Sequence, residues 1–163
     1  MFHGLQIVTV LIVAVVLAMS LAHVLEYPGK LRLDRDAYFA VQTIYYPGFS
    51  FAGICEPLSI AIVLALLVAT PFQTTNFWLV LVALLALITM HVLFWLVTQP
   101  VNKYWLVRDK ISAAGARFFA VEQASGRAMP EWTKLRDRWE RSHLVRAALC
   151  VTAFVMLVVD LTV

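Results

Sequence analysis

Charge is scarce in this sequence: Asp, Glu, Lys and Arg make up 14% of its 163 residues, against about 25% in an ordinary globular domain. With 62% hydrophobic residues beside so little charge, a soluble single domain is excluded. Cysteine is scarcer still. Cys55 and Cys150 are the only two, far apart and without Cys-x-x-Cys spacing, so neither a disulfide framework nor a thiolate metal site is supported. The net charge is +3, yet no basic stretch is interleaved with exposed stacking aromatics, which excludes a nucleic-acid partner. Proline is missing from the deep interior of every long apolar run, as helices in lipid require.

Those runs dominate what is present. They cover residues 5–25, 49–70, 77–98 and 143–163, each close to the roughly 20 residues needed to cross a bilayer core. The expectation is an all-α fold, a four-transmembrane-helix antiparallel bundle forming one domain over 1–163, with short interfacial helices in the connections 26–48 and 99–142. The first run has no basic segment before it and no small-x-small site after it, so it reads as a span and not as a cleaved signal peptide. Pro28-Gly29 reads as a chain stop, and Ala37–Tyr46 as a short amphipathic helix lying on the membrane. Pro71 with Gln73, Thr74, Thr75 and Asn76 marks a tight turn in which Asn76 is the expected helix N-cap. Charges around Phe118-Phe119 suggest a second surface-lying helix, ended by Ser125-Gly126. After Pro130 a helix is expected to start, project beyond the membrane and run unbroken into the fourth span. All 13 Lys and Arg residues fall on or near the side of the two long connections. The positive-inside rule makes that side cytoplasmic and places both termini outside, in a plasma (inner) membrane.

Ionisable side chains at membrane depth are costly and mark candidate sites. His23, Glu26, Glu56, His91, His143, Arg146 and Asp160 qualify. Asp160, near the outer end, is expected to reach water. The other six converge on the cytoplasmic half, with at least one from each span. His23 and Glu26 stack at i, i+3; with Glu56, His91 and His143 they give three imidazoles and two carboxylates, an inventory suited to Fe, Zn, Mn or Cu. His143 and Glu56 are the candidate catalytic acid and base groups. Glu56 equally fits a helix N-terminus, preceding Pro57. Trp132, Trp139, His143 and Arg146 form one stripe, either an aromatic belt or the wall of a substrate pocket, and Asn102 reads first as a turn residue.

The segments AHVLEYPGKLRL, AYFAVQTIYYPG, FWLVTQPVNK and WTKLRDRWERSH together resemble the small four-helix membrane proteins grouped with the anthrone oxygenases. The resemblance runs through all four spans. It matches His23, Glu26, Pro28 and Lys30 to the first signature, Asn102 to the third, and Trp139, His143 and Arg146 to the fourth. It implies oxygenase-like chemistry on a hydrophobic, aromatic substrate, with Trp139, Arg146 and Asn102 contacting it.

The leading expectation is therefore a membrane oxidoreductase whose polar cluster holds a transition metal or an electron-rich aromatic entering from the bilayer. A haem- or quinone-binding subunit using two of the three histidines is the alternative. A proton-relaying transporter and a structural accessory subunit are the others, the former weakened because the outer half offers no matching polar path. Partners are the lipid bilayer and a hydrophobic small molecule, with a homo-oligomer or a larger membrane complex left open.

Overall fold

The computed structural model describes residues 2–105, 112–118 and 131–163. Among these there are helices and turns and no strand. Eight α-helices follow in order: α1 Phe2–Lys30, α2 Arg35–Gln42, α3 Gly48–Ala52, α4 Cys55–Ala69, α5 Thr75–Leu93, α6 Gln99–Trp105, α7 Ala113–Phe118 and α8 Trp132–Asp160. Four segments are long and apolar enough to cross a membrane, His3–Lys30, Gly48–Ala69, Thr75–Trp105 and Trp132–Asp160. This is a multi-pass membrane protein.

The spans pack as a closed ring in which α1 and α5 each touch both α4 and α8. Val13, Val16, Val63, Leu66, Leu87 and Leu157 fill its axis and are fully buried. The outer faces are apolar too: Leu25 is 79% and Val68 81% exposed, surface that lipid and not water covers. Hydroxyls in the spans bond back within their own helices, as from Thr9 to the Leu5 carbonyl at 2.7 Å and from Ser20 to that of Val16 at 3.0 Å. No lone donor is then left facing hydrocarbon. Cys150 is buried in the same core as a small apolar side chain.

Two prolines expected outside helices lie within them. Pro28 sits in the last turn of α1, where it removes a single backbone bond, and the chain continues because Lys30 is held by Glu26 and Glu140. Pro100 lies inside the third span, in α6, after a π-helical stretch at Phe94–Thr98. A proline there cannot donate to the Leu96 carbonyl one turn back. Arg138 does so instead, its Nη2 lying 3.1 Å from that oxygen. The second span, in turn, breaks at Gly53 between α3 and α4. Its N–H donates to the Phe49 carbonyl at 2.8 Å, and a Cβ there would meet that oxygen at 3.2 Å.

The end carrying both termini is more polar than its sequence suggests. Asp160 is 2% exposed, not solvated: its carboxylate accepts from Gln6 Nε2 and from Asn76 Nδ2, each at 2.8 Å. Asn76 is thereby used to join α5 to α8. Thr74 is the N-cap in its place, accepting from the Phe77 N–H at 3.1 Å. The apolar axis separates this cluster from the polar groups at the opposite end.

That opposite end, reached by both long connections, holds a second core of Tyr38, Tyr45, Val101, Trp105, Leu135 and Trp139. Here the expected interfacial helix forms as α2, capped by Asp34, followed by a 3-10 turn at Thr43–Tyr45. The early part of α8 does project past the apolar region, but it is covered, with Leu135, Trp139 and Glu140 buried. The expected surface-lying helix is present as α7 alone; its continuation to Ser125-Gly126 lies outside the described residues.

Candidate functional site

A cavity of about 590 Å³ opens within the loop end of the bundle. Of the residues singled out from sequence, His23, Glu56, His91, Asn102, Trp139, His143 and Arg146 line it, and Glu26 does not. Ile54 and Trp95, 59% and 46% exposed, line it as well. The cavity is therefore open toward the lipid-facing side between α4 and the end of α5.

A hydrogen-bonded chain runs along one wall. Trp95 Nε1 donates to His91 Nε2 at 3.0 Å, His91 Nδ1 lies 3.0 Å from Glu56 Oε1, and Arg146 Nη2 lies 2.5 Å from Glu56 Oε2. An indole nitrogen only donates, so His91 Nε2 carries the lone pair and Nδ1–H donates to Glu56. Further along, Arg146 Nη1 lies 3.4 Å from His143 Nδ1. A guanidinium offers no acceptor, so that Nδ1 is the acceptor and the ring proton of His143 sits on Nε2. His143 thus presents an N–H donor, and His91 is the group with a base's geometry, its imidazole oriented by a carboxylate.

Among the described residues, nothing pairs with the buried His143 Nε2, His23 Nδ1 and Arg146 Nε. Buried polar atoms are nearly always paired, so these three atoms are places for a polar ligand or water around one cavity. His23 is also ringed by aromatics, its centroid 4.7 Å from Tyr45, 5.1 Å from Phe49, 5.1 Å from Trp139 and 4.0 Å from His143. Trp139 is fixed by donating from Nε1 to Asn102 Oδ1 at 2.8 Å, while Asn102 Nδ2 donates to Gln99 at 3.0 Å. Asn102 is thus a helical residue of the cavity lining whose amide holds the indole in place, and turn chemistry does not describe it.

Beside the cavity lies a network that sequence reasoning missed. Lys30 is 3% exposed, with Nζ 3.1 Å from Glu26 Oε2 and 3.6 Å from Glu140 Oε1, and it sits over the rings of Tyr45 and Trp139. Tyr38 donates to Glu140 at 2.9 Å and Tyr45 to Glu26. Burial, reinforced by these carboxylates, raises the pKa of both phenols, so they remain donors across the working pH range. The signal available in the sequence was the i, i+4 pair Glu26 and Lys30. Replacing Lys30 with Met should destabilise the protein by about 3–5 kcal/mol, because it strands the Glu140 carboxylate. Unfolding in mixed micelles measures this, and adding Glu140→Gln should recover part of the loss; equal stability of Lys30→Met and the parent would contradict it.

Four of the five expected metal ligands share the cavity, but they are divided among other partners. Glu26 belongs to the Lys30 network, Glu56 is engaged by His91 and Arg146, and His23 pairs with His143. Among the described residues no three His, Cys, Asp or Glu side chains are placed to hold one ion, and Arg146 occupies the position a cation would need beside Glu56. The haem alternative meets a similar obstacle. The His23 and His143 rings, 4.0 Å apart, leave no room for a macrocycle between them.

Comparison with protein families matches residues 42–156 to the family described as anthrone oxygenase. Comparisons with curated proteins and with solved structures give no match. The matched stretch covers more than half of the chain and contains Glu56, His91, Trp139, His143 and Arg146, leaving His23, Glu26 and Lys30 before it. The chain belongs to the anthrone oxygenase family.

Proposed function

We propose that the protein takes a flat, electron-rich hydroxylated aromatic from the bilayer and oxidises an activated methylene to a carbonyl with O₂. The observation carrying this reading is a base of fixed tautomer, His91 on Glu56, in one cavity with two orphaned buried donors, Arg146 Nε and His143 Nε2. A base facing oxyanion donors is the arrangement that enolises a carbonyl compound. The substrate slides past Ile54 and displaces the Trp95 N–H from His91 Nε2. His91 then takes a methylene proton, and the electron pair delocalises onto the ring oxygen held by Arg146 and His143. The carbanion reduces O₂ and forms the new C–O bond of a peroxide; loss of the second methylene proton to the outer oxygen with cleavage of the O–O bond gives the carbonyl and hydroxide, which takes the first proton from His91 and leaves as water. One methylene and one O₂ thus give one carbonyl and one water. The aromatic ring around His23 stacks the flat substrate.

The test is oxygen uptake by purified protein given an anthrone, expected at one O₂ per product carbonyl and without added metal. Tight binding of a quinone with no oxygen uptake would replace this reading with the quinone-binding one. We also place the loop end in the cytoplasm, where the positive charges gather. A reporter fused after Val163 should read extracytoplasmic and one inserted between 119 and 130 cytoplasmic; the reverse would move the site to the other face.

A further inference from the structure

The cavity has unused donors at a second place. Gln42 Nε2 and Trp105 Nε1 are buried without a partner among the described residues, both residues are 3% exposed, and both line the same cavity as Arg146 and His143. They come from different elements, α2 and α6, which meet where Tyr38 and Phe39, one turn before Gln42, pack on the Trp105 ring with centroids 5.4 and 5.1 Å away. The bond from Trp139 to Asn102 puts those two residues at one height in the bundle. Trp105 lies one turn past Asn102 toward the loop end, and Arg146 two turns past Trp139 in the opposite direction. At 1.5 Å per residue, the backbone of Trp105 is offset along the axis by roughly 10 Å from that of His143 and roughly 15 Å from that of Arg146. The cationic Lys30 does not line the cavity, so the second place offers neutral donors and suits an uncharged acceptor.

We infer that Gln42 and Trp105 form a second oxygen-recognition subsite, which selects fused-ring substrates carrying, besides the reacting oxygen, an acceptor oxygen on an outer ring. This inference rests on the proposed function for its orientation: the reacting carbonyl lies at Arg146 and His143, the remote oxygen at Gln42 and Trp105. A ligand lacking the remote oxygen leaves two buried donors unpaired, a loss that discriminates strongly between otherwise equal ligands. The flat walls between the two ends, Trp139 and the His23 ring among them, hold the fused rings and contribute to both ligands alike.

The test compares binding of two probes to the purified full chain in detergent under nitrogen, followed by tryptophan quenching: an anthrone without ring hydroxyls and an anthrone with one hydroxyl on an outer ring. The parent protein should prefer the second by about tenfold to a hundredfold. Gln42→Met and Trp105→Phe keep volume and ring, and together they should bring the preference to about one while binding of the first probe stays unchanged. Arg146→Lys should weaken both probes equally. A parent that binds both probes alike, or a preference that survives the double substitution, overturns the subsite and means the two donors only hold water. Because binding is read without turnover, a preference seen without oxygen uptake would uphold the subsite and overturn the oxygenase reading, and uptake without preference would do the opposite.

Discussion

His91→Gln is expected to lower turnover of an anthrone by about a hundredfold to ten-thousandfold, the range for loss of a positioned general base. The expectation follows from the tautomer. Trp95 donates to Nε2 and Glu56 accepts from Nδ1, so the lone pair is fixed where a substrate C–H arrives, and the carboxylate stabilises the imidazolium that forms. Gln at this position still reaches Glu56 but accepts a proton poorly. Substrate deuterated at the methylene should show a primary isotope effect that grows in the variant, because proton transfer then limits the rate more completely. Trp95→Phe removes only the competing N–H donor and should retain activity. A rate for His91→Gln within tenfold of the parent would sink the assignment and leave His23, with its unpartnered Nδ1, as the base to examine.

How much of this was legible depends on what each residue meets. The four spans follow from apolar length, which lipid imposes directly. Glu56, His91, His143 and Arg146 stood out because an ionisable group at membrane depth has few ways to be satisfied. Lys30 and Glu140 looked like surface charges, since only the return of α2, with Tyr38 donating to Glu140, puts them out of water. Gln42 and Trp105 were hidden for the same reason: nothing local tells a covered connection from an open one. The third span runs on past residue 98 through Pro100 because Arg138 supplies the donor that the proline ring lacks. Asp160 was misread as solvated because its donors, Gln6 and Asn76, come from two other spans. The grouping of the expected metal ligands was not legible: which carboxylate faces which cation is decided by rotamers and helix rotation, and Arg146 reaches Glu56.

Arg146→Lys should reduce kcat by about a hundredfold to a thousandfold while the protein stays folded. Arg146 has two tasks that the substitution separates. One is to neutralise Glu56, with Nη2 at 2.5 Å from Oε2; a lysine ammonium keeps that charge and prevents a buried carboxylate from being stranded. The other is to offer Nε–H, now without a protein partner, to the oxygen that becomes negative as His91 takes its proton. Lysine has no equivalent of that rigid fork, and loss of one oxyanion donor has an effect of this size. The interaction strengthens as charge develops, so kcat should fall far more than KM rises. His143 donates to the same oxygen from Nε2, which is why a residual rate should persist. Unfolding in mixed micelles should show near-parental stability for Arg146→Lys. A variant that is stable and turns over within fivefold of the parent would show that Arg146 serves Glu56 alone and that the developing charge is held elsewhere.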